Sequence, residues 1–229
     1  MKKKLVVLTG AGISAESGLK TFRDGDGLWE NHRVEDVATP EAFAKNPKLV
    51  LDFYNSRRKS AADAVPNLAH KTLAKLEAHF EVTVITQNVD DLHERGGSSS
   101  VLHLHGKLNQ ARSVLNANKV FDIGNKDICL GDRAEDDGQL RPHIVWFGEE
   151  VPMIEKAAKV CEEADIFVII GTSLQVYPAL GLIHYVPQSA QKYLIDRYLP
   201  QITEIEDNMI FLEGLATEMV PLLMKKLTE

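Results

Sequence analysis

The stretch Leu5-Val6-Val7-Leu8-Thr9-Gly10-Ala11-Gly12-Ile13-Ser14-Ala15 decides the fold of this chain. Four apolar residues in a row read as a strand buried on both faces, the habit of a parallel sheet covered by helices. The strand runs straight into Gly10, Gly12 and Ala15, a Gly-x-Gly-x-x-Gly/Ala turn. Small residues at that spacing let backbone N–H groups approach a pyrophosphate where a helix begins. Ser14 stands where its hydroxyl can cap that helix or bind phosphate. A tight structural turn asks for similar residues, so the motif favours a nucleotide without proving one.

Further apolar runs at 82–85, 101–104, 144–147, 166–170, 193–195 and 209–212 predict more strands. Apolar residues at three- and four-residue spacing predict helices over 67–79, 153–163 and 217–226. The alternation implies an α/β fold, a Rossmann-like doubly wound parallel sheet whose ligands gather beyond the carboxyl ends of its strands. Two regions break the pattern, about 30–66 (charged and helical) and about 109–140 (polar and weakly patterned). The expected division is a Rossmann-like domain from 1–30, 67–108 and 141–229, with 31–66 and 109–140 as a small helical or irregular inserted module.

Composition narrows the classes. Of 229 residues, 44% are hydrophobic and 26% charged, which fits a globular chain and not a disordered one. The net charge of −7 argues against general affinity for nucleic acid or anionic membrane. No apolar run approaches the ~20 residues that span a bilayer, and Lys2-Lys3-Lys4 leads into no signal-peptide core, so a cytoplasmic protein is expected. Two cysteines, Cys129 and Cys161, cannot form a four-cysteine zinc site, and Cys161 shares an apolar helix face with Ile154, Ala157 and Ala158.

Chemistry concentrates just after the strands. Gln87, Asn88 and Asp90 follow 82–85 directly, where amides and carboxylates are costly unless they meet a ligand or one another. Capping of the next helix by Asn88 or Asp90 is the plainer use. In Val101-Leu102-His103-Leu104-His105-Gly106 the two histidines share one face, and His105 stands at the strand end. An imidazole there can serve as a base near neutral pH; a metal pair at i, i+2 is the other use. Arg23, in a glycine-bearing loop, can clamp phosphate or lie in solvent.

The blocks GAGISAESGLKTFR at 10–23, TQNVDDLH at 86–93, HLHG at 103–106, RPHIVWFGE at 141–149 and GTSLQVYP at 171–178 together resemble the sirtuin family of NAD-dependent protein deacylases. The resemblance covers nearly the whole chain. It implies an NAD site lined by Gly10, Ala11, Gly12, Ser14 and Glu16, closed by Thr21, Phe22 and Arg23. Gln87, Asn88 and Asp90 would serve the nicotinamide and ribose, and Gly171, Thr172, Ser173, Asp196 and Ala216 the adenosine side. Asp196 stands where many members carry asparagine. His105 would be the general base, with Asn88 and Asp90 as catalytic partners, releasing nicotinamide and O-acyl-ADP-ribose from acyl-lysine proteins. Val145, Phe147, Gly148 and Glu149 on one side and Val176 on the other would grip the peptide as an added strand.

Tyr54 and Arg57 lie at i and i+3 of a predicted helix and so share a face. They match the Tyr-x-x-Arg pair of sirtuins that prefer succinyl, malonyl or glutaryl lysine, where a guanidinium fork suits a distal carboxylate. The family's zinc cysteines are missing, since 109–140 holds only Cys129 and puts Ser113 near an expected ligand. No structural zinc is therefore expected. Two other classes fit the same pocket: a slow or non-catalytic NAD-binding sensor, and an ADP-ribosyltransferase or NAD glycohydrolase.

Overall fold

The opening apolar run forms β1 (Lys4–Thr9) in a computed structural model whose described residues are 2–20, 28–29, 31–172, 178–198 and 209–229. The glycine turn leads to α1 (Gly12–Ala15), and a small hairpin, β2 (Leu28–Trp29) and β3 (His32–Arg33), precedes α2 (Val34–Val37), α3 (Pro40–Lys45) and α4 (Pro47–Asp63). Next come α5 (Leu68–Leu76), β4 (Glu81–Thr86), α6 (Leu92–Gly96) and β5 (Val101–His103). They are followed by β6 (Gly106–Ser113), β7 (Val120–Asp122) and β8 (Leu140–Ile144). The chain then passes through α7 (Ile154–Glu162), β9 (Ile166–Ile170) and a 3-10 segment (Ala179–Tyr185) to β10 (Gln191–Asp196), β11 (Met209–Glu213) and α8 (Ala216–Thr228).

Six strands make one parallel sheet in the order β11-β10-β9-β1-β4-β5. Counted along the chain, that is the doubly wound order of dinucleotide folds, with the direction of winding reversing between β1 and β9. The two faces explain the unbroken apolar run. Val6 and Leu8 pack with Phe167, Ile169, Cys161 and Ala157 under α7, while Leu5 and Val7 pack with Leu73, Leu76, Val168 and Val220 under α5 and α8. Cys161 is thus a core residue, its thiol pushed up to about 12 by burial.

The strand expected at 144–147 is instead β8, which ends at Ile144 and belongs to a second sheet. This antiparallel sheet, in the order β7-β6-β8, frames the stretch that carried no pattern, so the inserted part is not merely helical or irregular. The signal is weak because a register shift between Lys107 and Ala111 interrupts the alternation of β6. The helices beside it carry clear local signals. Thr39 accepts from the Ala42 N–H ahead of Pro40, and Asn46 accepts from the Leu49 N–H ahead of Pro47, so each helix has a side-chain cap and a proline at its start.

Hydrogen bonds and a few buried side chains tie the second sheet and the loop before β8 to α4. Asn55 brackets Ile128 through both backbone groups, at 2.9 and 3.0 Å, and Arg58 Nε donates to the Leu108 carbonyl. Ser113 Oγ donates to Asp136 at 2.7 Å, and Leu51, Ala111 and Ile128 form a small core.

Candidate active site

Between β1 and β9 the strand ends part, and the cradle forms there. The Gly10 N–H donates to Ile170 O at 3.0 Å and the Gly12 N–H to Gly171 O at 2.8 Å. A Cβ on Gly12 would lie 2.6 Å from Gly171 Cα, and one on Gly10 would lie 2.7 Å from Thr172 Cβ. Gly171 itself has φ +60, a conformation suited to glycine. These glycines let two strand ends touch. The Ile13 and Ser14 amides are likewise used, by Gly10 O and Ala11 O, so the cradle offers a close backbone surface more than a set of open N–H donors. Ser14 does not cap α1; Ala11 holds that position, and the Ser14 hydroxyl turns elsewhere.

A cleft of about 620 Å³ runs from this point between the tips of the parallel strands and the second sheet with its helices. Gly10, Ala11, Gly12, Ser14, Gln87, Asn88, Asp90, His105, Gly171, Thr172, Asp196 and Ala216 line it, as do Tyr54, Arg57, Val145, Phe147, Gly148 and Glu149. Glu16 is not among the lining residues: its carboxylate accepts from the Thr217 N–H and hydroxyl, fastening α1 to the start of α8. Thr21, Phe22, Arg23, Ser173 and Val176 lie outside the described residues.

A chain of polar side chains crosses the floor. Asn88 Nδ2 donates to Ser14 Oγ at 3.1 Å, Ser14 Oγ donates to Asp90 Oδ2 at 3.2 Å, and Gln87 Nε2 donates to Thr172 Oγ1 at 3.0 Å. Asp90 also accepts from the Leu92 N–H at 3.1 Å, but neither it nor Asn88 caps α6, whose N-cap position is held by Asp91. Burial raises the Asp90 carboxyl, while the Leu92 N–H, the Ser14 hydroxyl and the charge of His103 oppose the rise.

His105 Nδ1 donates to the Gln87 carbonyl at 3.0 Å, which fixes the tautomer and leaves Nε2 as the acceptor. Burial lowers its pKa, with the bond to Gln87 acting the other way. A neutral, oriented imidazole in a cleft has the form of a general base.

On the opposite wall Tyr54 is 1% exposed, and its hydroxyl accepts from Trp146 Nε1 at 3.0 Å, so the phenol proton is left to donate. Burial raises the phenol above its ordinary pKa, the Trp146 bond opposing, and keeps it protonated. The Arg57 guanidinium lies 4.4 Å from the Trp29 ring centroid. Glu149 has a different task from the one its position suggests. Its carboxylate accepts from Arg112, Arg141 and the Trp146 N–H, and Arg141 stacks on Trp146 at 3.3 Å. It holds the loop carrying Phe147 and Gly148 in place. Trp29, not singled out in the sequence, and Trp146, which lies within the expected peptide-gripping segment 145–149, frame this pocket, and Trp146 is held there by Tyr54, distant in the chain.

Among the described residues no group of three or more His, Cys, Asp or Glu is placed to hold a metal ion. His103 and His105 do not converge, because each turns Nδ1 onto a backbone carbonyl.

A doubly wound sheet with a polar cleft at its switch point, overhung by an aromatic and arginine wall, defines a dinucleotide-binding α/β protein. The model of the Sir2 family matches residues 10–178. An NAD-dependent protein deacylase of Bacteroides thetaiotaomicron is 57% identical over 199 residues, 85% of each chain, and one of Helicobacter pylori is 55% identical over 204 residues, covering 87% of this chain and 89% of that one. Among solved structures, a Sir2 homolog in complex with NAD superposes with a TM-score of 0.87 at 40% identity, covering 98% of this chain and 89% of the other. A Sir2 enzyme bound to a propionylated peptide gives 0.79 at 29% identity, covering 98% and 93%. This chain belongs to the Sir2 family.

Proposed function

We propose that this protein is an NAD-dependent protein-lysine deacylase that removes succinyl and malonyl groups as well as acetyl, yielding nicotinamide and O-acyl-ADP-ribose. The cofactor fits the site on two observations: glycine surfaces at the switch point that a single Cβ would fill, and a buried polar chain from Ser14 through Asn88 and Asp90 that opens into the cleft. Gly10, Gly12, Gly171 and Thr172 would hold the phosphates and adenosine half, with Asp196 and Ala216, and Gln87, Asn88 and Asp90 the nicotinamide half. NAD, when bound, supplies the ribose carbon that parts from nicotinamide and takes the acyl oxygen.

The chain's own residues do the rest. His105 Nε2, unprotonated and held by Gln87, takes a proton at the floor of the cleft. Asn88 and Asp90 orient the carboxamide and ribose. Val145, Phe147 and Gly148 line the cleft and would grip an extended peptide from that side, with Glu149 holding their loop through the Trp146 N–H.

The acyl preference rests on one observation: Tyr54, oriented by Trp146 to donate, lines the same pocket as the Arg57 guanidinium. A carboxylate at the acyl tip would meet a hydroxyl donor and a planar cation, two contacts that a methyl group cannot make. Within the same proposal the enzyme works in the cytoplasm on acylated proteins, not on nucleic acid or membranes, and needs no structural zinc. The net charge of −7 supports the exclusion of nucleic acid and anionic membranes, and the cysteine count that of a four-cysteine zinc site.

Assays with acetyl-, succinyl- and malonyl-lysine peptides test the reading. His105→Ala should fold and lose NAD-dependent acyl removal; full turnover in that variant would unseat the base. Arg57→Met should lower kcat/KM for succinyl peptide by about 10- to 100-fold, the worth of a charge-assisted hydrogen bond, and leave acetyl peptide much less changed. Equal losses on both peptides would make Arg57 a structural residue.

A further inference from the structure

Two histidines on one strand end grip consecutive carbonyls of the loop that carries the nicotinamide-side residues. His105 Nδ1 donates to Gln87 O at 3.0 Å, and His103 Nδ1 meets Asn88 O at 2.9 Å. Their far nitrogens differ. His105 Nε2 faces the cleft, but His103 Nε2 lies 2.9 Å from Glu94 Oε1, itself bound by Lys107 Nζ at 2.7 Å. A carbonyl oxygen and a carboxylate are both acceptors, so each His103 nitrogen needs its own hydrogen to satisfy the bond it makes. The ring is only 7% exposed, and an acceptor facing an acceptor there would be costly.

We infer that His103 is a positioning residue, held as an imidazolium between Glu94 and the Asn88 carbonyl, and that it fixes the register of the Gln87–Asp90 loop for the reaction at His105. The surroundings suit a fixed charge. Glu94, itself bound by Lys107, meets His103 Nε2, and Asp90 and His93 are near enough to feel its charge. Burial pushes the Glu94 carboxyl up, but His103 and Lys107 bring it down to about 2, so the counter-ion stays ionised. The end of β5 and the turn after it thus carry two imidazoles with divided duties: one ends in the cleft and exchanges a proton, while the other ends in a carboxylate and keeps both of its own. Asn88 is where the duties meet, since its carbonyl receives His103 while its side chain reaches Ser14 and, through it, Asp90.

This inference rests on the deacylase reading for its kinetic arm only. Nitrogen-15 NMR of the full chain with labelled histidine, near neutral pH, should show one buried ring with both nitrogens protonated, and that signal should vanish in His103→Gln. In Glu94→Gln one of the two nitrogens should lose its proton. His103→Phe should raise KM for NAD and lower kcat/KM about 10- to 100-fold, the worth of one buried charge-assisted bond, while His103→Gln, whose amide can still donate to Asn88 O, should recover most of it. A singly protonated His103, or equal losses in the Phe and Gln variants, would overturn the inference. If the wild type removes no acyl group from any peptide while the NMR signature is present, the function assigned above fails and the clamp stands.

Discussion

His105 is lowered by burial from the ordinary histidine pKa of 6.5, and this fixes the side of the pH profile on which activity fades. A base must be unprotonated, so the rate should hold through neutral pH and fall only below that ordinary value. A pH profile of kcat/KM on an acyl peptide checks it: the acid limb should have its midpoint below 6.5, and a midpoint above would mean that the ring is stabilised as a cation. At this scale much of the site was readable. Gln87, Asn88, Asp90 and His105 are polar residues placed directly after apolar strands, and such placement needs a reason. The Trp146–Tyr54 and Glu94–His103 pairs were not readable. The tryptophan N–H finds its acceptor 92 residues away in Tyr54, and no spacing rule joins a helix glutamate to a strand histidine.

Among the elements, the loop after β1 and the loop after β9 depend on each other through glycine. Gly12→Ala would drive a Cβ against the Gly171 backbone at 2.6 Å, with no flexible side chain there to yield. Overpacking of that kind costs about 1–3 kcal/mol, so the thermal midpoint should drop by several degrees, roughly 2–4 °C per kcal/mol in a chain of this size, together with a loss of NAD affinity. Gly181→Ala, where a Cβ meets nothing within 4 Å, is the control and should melt close to the wild type. Calorimetry on the two variants decides it. The strands of the parallel sheet were legible because both faces of each are buried, which writes an apolar run into the sequence. The sheet of β6, β7 and β8 was not, because a bulge interrupts the alternation of β6, and because hydrogen bonds from Asn55 and Arg58 of α4, which leave no apolar pattern, help to fasten it.

For the molecule as a whole, acid sensitivity should come from a pair of histidines away from the cleft. His70 on α5 and His93 on α6 are 0% and 1% exposed, with ring centroids 4.9 Å apart. Burial lowers His70 to about 4; His93 falls to about 3 through burial and then the charges of His70 and His103. Folded, both stay neutral at pH 5, while in the unfolded chain each takes up a proton below about 6.5. The unfolded state therefore binds more protons as pH falls, and stability, undiminished above 6.5, is lost down towards pH 4 and 3. The slope is on the order of 2 kcal/mol per pH unit for the two groups. Urea midpoints at pH 7, 5.5 and 4.5 should trace that fall, and a His70→Gln, His93→Gln double variant should flatten it; an unchanged slope would place the sensitivity elsewhere.

The strand order carries a further consequence, for how the chain is made. β1 sits in the middle of the sheet, with β4 on one side and β9 on the other. As the polypeptide leaves the ribosome, its first strand gains one neighbour early and waits for the second until Ile166–Ile170 has emerged. Until then an apolar ribbon stands with one open edge, which invites association with other nascent chains and makes late, slow closure the vulnerable moment in the life of this protein.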